Sequence, residues 1–300
     1  MTPTGQGRKP LIVAENMTAG YELERERKLL TALEGVSLTV HDGEFLVLVG
    51  PSGCGKTTFI NVIAGLVQPW SGSVTFNGKP IDGPGEDRSM VFQDYAIMPW
   101  RTVEQNIQLP FELRPHDLSK SDVADKVQAI IGDVGLTGFE KSFPYELSGG
   151  MRQRVGLARA MVTQPKVLLA DEPFGAVDAM TREVLQAQLE ALVMNAGQTV
   201  VFITHSIDEA IALGDRIAVI SNRPGKVREI VTVDMDRPRL AEGEITTHPR
   251  YGELREHLWN LVKDEALGAK DAHHDDDIST GDSRLDRLAT SPATTMDPGI

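Results

Sequence analysis

Cysteine is nearly absent from this 300-residue chain: Cys54 stands alone. One cysteine closes no internal disulfide, and its solitude suits a reducing compartment. No apolar run approaches the roughly 18 residues that a membrane-spanning helix needs. The opening "MTPTGQGRKP" has no apolar segment behind its charges, which predicts that it is not a signal peptide. Bases are outnumbered, 30 Lys and Arg against 43 Asp and Glu, for a formal net charge of −13. That balance argues against a general nucleic-acid binder. Part of the excess is local: residues 264–300 hold nine acids and three bases. This polar tail is expected to be disordered. Its His273, His274 and Asp275 to Asp277 could hold a metal loosely, but a solvated tail explains them as well.

What is present is 41% hydrophobic residues, enough for one large core or two modest ones. "FLVLV" (45–49), "VLLA" (167–170), "VVFIT" (200–204) and "IAVI" (217–220) lack polar alternation, as strands covered on both faces do. Amphipathic helices lie between them. One places Ile60, Ile63 and Leu66/Val67 on a single face. Another places Val184, Leu185, Leu189, Leu192 and Val193 together and stops at Gly197. Ser206 with Glu209 predicts a capping box. Strands alternating with helices indicate an α/β fold. Residues from about 100 to 147 differ: Thr102 and Gln105 cap a first helix, and Val123, Val127, Ile130, Ile131 and Val134 form a helical stripe. This reads as a helical insert. "LIVAEN", "VSLTV" and "GSVTFNG" read as antiparallel strands. The core is expected to end near Val233, with "YGELREHLWNLVKDE" as one more helix in a segment 234–263.

"GPSGCGKT" matches G-x-x-x-x-G-K-[ST] over Gly50, Pro51, Ser52, Gly53, Cys54, Gly55, Lys56 and Thr57, with Thr58 following. It sits between an apolar strand and a helix, the context this phosphate cradle needs. Backbone N–H groups and the helix N-terminus attract an anion. Lys56 reaches the β- and γ-phosphates, and the Thr57 hydroxyl can ligate Mg²⁺. Cys54 lies inside this loop, so a bulky thiol reagent is expected to block nucleotide binding. "KVLLADEP" ends a strand with Asp171 and Glu172. Adjacent strand residues face opposite ways, so the acids take different roles: Asp171 holds Mg²⁺ and Glu172 polarises a water. His205 ends another strand, where ligands sit in open α/β sheets. Gln93, beyond a short strand, can position water and touch Mg²⁺.

"LSGGMRQR" builds a second cradle: Ser148 as cap, Gly149 and Gly150 for close backbone approach, and a helix end aimed at an anion. "GPSGCGKTT", "FQD", "LSGGMRQR", "LLADEP", "GAVD" and "THS" stand in the order of an ABC-type ATPase, and the resemblance spans Leu11 to Val233. It implies a P-loop NTPase (RecA-like) core with an antiparallel β subdomain and an inserted α-helical subdomain of about residues 100–160. In that family the signature binds ATP held by the opposite subunit, which implies a homodimer around ATP and Mg²⁺. By position, Gln93 matches the Q-loop glutamine, His205 the switch histidine and Asp178 the D-loop aspartate. The usual "SALD" is "GAVD" here, so Gly175 lacks a serine hydroxyl. Tyr21 is the candidate to stack on adenine. "VFQDYAIMPWRTVEQNI" and "ISNRPGKV" resemble importer ATPases for nitrate, sulfonate, taurine and similar nutrients. That implies a peripheral subunit on the cytoplasmic face of the membrane, docked on an integral permease and served indirectly by a solute-binding protein. The rival is a soluble ABC-type ATPase acting on nucleic acid or ribosomes.

Overall fold

The computed structural model describes residues 7–23, 28–240 and 245–272. β1 (Pro10–Leu23) and β2 (Lys28–His41) form a long antiparallel pair. β3 (Phe45–Val49), buried at every residue, runs through the Gly50 loop into α1 (Lys56–Ala64). β4 (Ser71–Phe76) pairs antiparallel with β1, and β5 (Lys79–Pro80) with β4. β6 (Arg88–Val91) leads to the insert: α2 (Val103–Leu113), α3 (Lys120–Asp133) and α4 (Gly149–Met161). Then β7 (Val167–Asp171), α5 (Ala179–Ala196), β8 (Thr199–Ile203), α6 (Ile207–Leu213) and β9 (Arg216–Ile220) alternate. β10 (Val227–Thr232) and α7 (Pro249–Ala272) close the chain.

The strands form two sheets, β2-β1-β4-β5 and β10-β9-β3-β8-β7-β6. In the second, β3 is central and parallel to both β8 and β9, and β7 is parallel to β6 and β8. Leu48 and Asp171 both pair with Ile203, and Val91 with Ala170. The strand ends that lead to Gly50, Gln93, Glu172 and His205 therefore meet along one edge. Alternation along β3 divides the core in two: Phe45, Val47 and Val49 face one apolar cluster, Leu46 and Leu48 the other. The first cluster takes the helical insert, the second α1 and the antiparallel sheet. This is the expected α/β core with its antiparallel and helical additions.

Local chemistry explains most element ends. Thr102 and Gln105 make the expected reciprocal cap on α2, and Ser119 with Asp122 makes a second one on α3. Gly197 ends α5 in a left-handed turn. Several expectations change. Gly65 stops α1, so Leu66 lies outside the helix and is exposed. Val184 is half exposed, because the buried stripe of α5 runs through Leu185, Gln186, Leu189 and Val193. Ser206 Oγ accepts from the Glu209 N–H, but the Glu209 carboxylate turns inward to Gln186 Nε2 at 2.8 Å. Only half of that capping box forms. β10, an edge strand antiparallel to β9, was not anticipated. α7 continues to Ala272, nine residues into the stretch expected to be disordered. Its Tyr251, Leu254 and Leu258 join the core cluster of Phe45 and Val47. His273, His274 and Asp275 to Asp277 lie outside the described residues.

Candidate active site

The Gly50–Lys56 loop is shaped by backbone that only glycine adopts freely. Gly55 has φ 102°, and a Cβ there would stand 2.7 Å from the Ala32 carbonyl and 2.6 Å from Leu33 Cδ2. The Lys56 ammonium is buried and donates to the Gly50 and Pro51 carbonyls, both at 2.9 Å. It is thus held at the loop's centre beside the N-terminus of α1. Arg223, from the turn after β9, donates through Nε to the Gly53 carbonyl at 3.0 Å. The cavity against this loop is about 300 Å³ and is lined by Ser52, Gly53, Gly55, Lys56, Thr57, Thr58, Tyr21, Leu30, Ala32, Glu172 and Arg223.

Asp171 and Glu172 diverge, though not by strand alternation. β7 stops at Asp171, and Glu172 enters the left-handed region at φ 45°, a strained conformation for this residue. Its N–H bonds the Ile203 carbonyl at 3.1 Å, which pins the turn to β8. Asp171 Oδ1 accepts from Thr57 Oγ1 at 3.2 Å. Burial pushes the Asp171 carboxyl up, the charge of Glu172 adds to this, and Thr57 and Lys56 oppose it. A cation beside Asp171 and Thr57 would favour the ionised form. These two oxygens suit Mg²⁺, which takes one or two protein ligands and completes its shell with phosphate and water. Among the described residues no cluster of three or more acids, histidines or cysteines forms a closed protein cage for a metal. Glu172 instead faces His205, whose Nδ1 is 3.4 Å from Glu172 Oε2. Gln93 is exposed, two residues past β6 on the same edge.

The second cradle is a helix start. Ser148 caps α4, its Oγ accepting from the Met151 N–H at 3.2 Å. A Cβ on Gly150 would stand 2.5 Å from Thr181 Cγ2. Thr181 is itself fixed by Asp178, the N-cap of α5, through N–H and Oγ1 bonds of 3.0 and 2.7 Å. The signature and the D-loop therefore pack together. Neither contributes to the lining of the P-loop cavity.

A family model described as "ABC transporter" matches residues 33–175. An ABC transporter ATP-binding protein of Methanocaldococcus jannaschii is 44% identical over 259 residues, covering 86% of this chain and 94% of that protein. The chain belongs to the ABC transporter family. It is an ATP-binding cassette ATPase of the kind found with nitrate-type importers. The bicarbonate transport ATP-binding protein CmpD of Synechococcus elongatus is 41% identical, covering 87% of this chain and 94% of its own. The nitrate import ATP-binding protein NrtD of the same organism is 44% identical, covering 82% and 88%. A solved dimeric cassette in a post-hydrolysis state, bound to ADP and Pi, superposes with a TM-score of 0.66 at 30% identity, over 75% of this chain and all of that one.

Within the cassette, Tyr21 stands on the P-loop cavity, 39% exposed, with Thr58 Oγ1 donating to its hydroxyl at 3.3 Å. One expectation about the loop is corrected. The Cys54 thiol is fully buried within the second core cluster, Lys56 Nζ stands 3.6 Å from its sulfur, and burial pushes its pKa up. Buried and with its pKa raised, it is expected to react slowly in the native chain. In the GAVD turn, a Cβ at Gly175 would lie 3.4 Å from the Glu172 carbonyl, ordinary contact, so the absent serine leaves no steric need behind. Arg223 was missed. It lies in "ISNRPGKV", but only the fold brings it to Gly53.

Proposed function

We propose that this cassette dimerises around two ATP molecules and drives a membrane permease that imports a small anion or similar nutrient. The observation that carries this reading is the separation of the two cradles. The P-loop, Tyr21 and Glu172 share one cavity, whereas Ser148 and Gly150 lie elsewhere with their helix end free for another molecule's triphosphate. A head-to-tail pair lets each signature close the other's site, and the dimeric state of the solved relative supports that arrangement. Nitrate, sulfonate and taurine are the substrates expected from the sequence; the names of the relatives favour nitrate or bicarbonate.

In the proposed site, backbone N–H groups of 50–58 and Lys56 hold the phosphates, and Tyr21 stacks on adenine. Thr57, Asp171 and Gln93 would hold Mg²⁺, which when bound neutralises phosphate charge. Glu172 accepts a proton from the attacking water, and its strained turn aims the carboxylate into the cavity. His205, beside Glu172, orients that water against the γ-phosphate. Positioning and charge stabilisation supply most of the rate, as in phosphoryl transfer generally. No helix among the described residues is long and apolar enough to cross a membrane, which fits a peripheral subunit held to the cytoplasmic face by its permease through the helical insert. A solute-binding protein would deliver the nutrient on the far side.

The test is capture of the tagged, ATPase-active chain from cells. Recovery with an integral membrane permease, lost on detergent stripping, is expected. Recovery with nucleic acid or ribosomes and no permease would favour the soluble ATPase instead.

A further inference from the structure

His205 has little to hold it. Its side chain is 63% exposed and stands beside Glu172, with 3.4 Å from Nδ1 to Oε2. The imidazole's place is therefore set by backbone, through β8 before it and α6 after it. α6 has only seven residues, too few for its internal bonds to fix it. Its anchors come from outside: Ala210, Ile211 and Leu213 sit in the core, Glu209 takes Gln186 of α5, and the segment that follows β10 grips both ends. Asp208, in the first turn of α6, accepts from the Tyr251 hydroxyl at 2.5 Å and from Arg255 Nε at 2.8 Å, both on α7. At the other end the buried Arg239 guanidinium caps the Ile211 and Gly214 carbonyls at 3.0 and 2.6 Å. α7 is a firm base for this grip. Leu254 and Leu258 are in the core, and Arg228 on β10 bonds the Leu261 carbonyl and Glu265.

We propose that Tyr251, acting through Asp208, is a positioning residue for His205: it holds the first turn of α6 so that the imidazole stays against Glu172. Tyr251 is 7% exposed, and burial with the Asp208 charge pushes its hydroxyl pKa up to about 12, so it remains a proton donor at neutral pH. The segment after β10 is thereby part of the hydrolytic apparatus, although it lies outside the P-loop cavity. This rests on the reading of His205 given above.

The test is a double-mutant cycle on the full-length chain, read as phosphate release against ATP concentration. Tyr251→Phe removes one hydroxyl and keeps the ring packed. It is expected to lower kcat about tenfold with the KM for ATP unchanged, the scale of a small displacement of a catalytic group. In a His205→Ala background the same change is expected to do nothing further. An unchanged kcat in Tyr251→Phe overturns the proposal. So does a full tenfold loss that persists in His205→Ala, which would mark Tyr251 as a general structural support while leaving the role of His205 intact. A His205→Ala chain as active as wild type removes the reading of His205, and the proposal with it.

Discussion

At the end of β3 the loop around Lys56 is enclosed by its own chain. Gly55 is pressed on β2, Arg223 holds Gly53, and Lys56 is buried. At the start of α4, Ser148 is exposed and Gly149 half-buried, and Thr181 packs against Gly150. Both places use the same chemistry, backbone N–H groups at a helix N-terminus. The first is a pocket and the second is a surface. A surface of that kind becomes a binding site only when something completes it. On the proposed reading, the pair separates what one chain does, which is to bind a nucleotide, from what it needs a partner to do.

Four experiments sharpen or break that contrast. Glu172→Gln removes the proton acceptor and leaves the cradle intact. kcat should fall by about 10³-fold, on the scale of general-base loss, while equilibrium dialysis still finds ATP bound. Gly55→Ala attacks the enclosed cradle. Its left-handed backbone and its contacts with Ala32 and Leu33 predict a loss of about 1–3 kcal/mol in stability, together with loss of ATP affinity, by thermal melting and calorimetry. Ser148→Ala attacks the open one. It should cost about 1 kcal/mol as a lost cap and abolish hydrolysis with ATP affinity of the isolated chain unchanged. Loss of that affinity would mean the signature serves its own chain's pocket. The smallest effect belongs to Cys54. Maleimide should leave native protein unlabelled and ATP binding undisturbed, with labelling on unfolding; rapid native labelling would put the thiol in the loop's mouth.

The cradles were legible because their chemistry is local. Lys56, Thr57, Ser148 and the Asp171–Glu172 pair each sit at a strand end or a helix start that the apolar runs mark out. The divergence of the two acids was legible too, but its cause was not. Alternation along β7 predicted the divergence of Asp171 and Glu172, whereas a positive φ and a bond to Ile203 produce it. What stayed hidden depends on distant packing. Nothing near Arg223 announces Gly53, 170 residues away in sequence. Glu209 looked like a capping residue and is instead a buried partner of Gln186, with its carboxyl pKa pushed up by that burial. Cys54 looked exposed because glycines surround it, yet its thiol is buried, with Lys56 Nζ 3.6 Å from the sulfur.

The most direct measurement is the mass of Glu172→Gln by sedimentation in ATP, alone and with Ser148→Arg added. The single variant should sediment as a dimer holding two ATP molecules, and the double variant as a monomer holding one. A double variant that still dimerised on ATP, or a strictly monomeric wild-type chain hydrolysing ATP at full rate, would contradict the shared site.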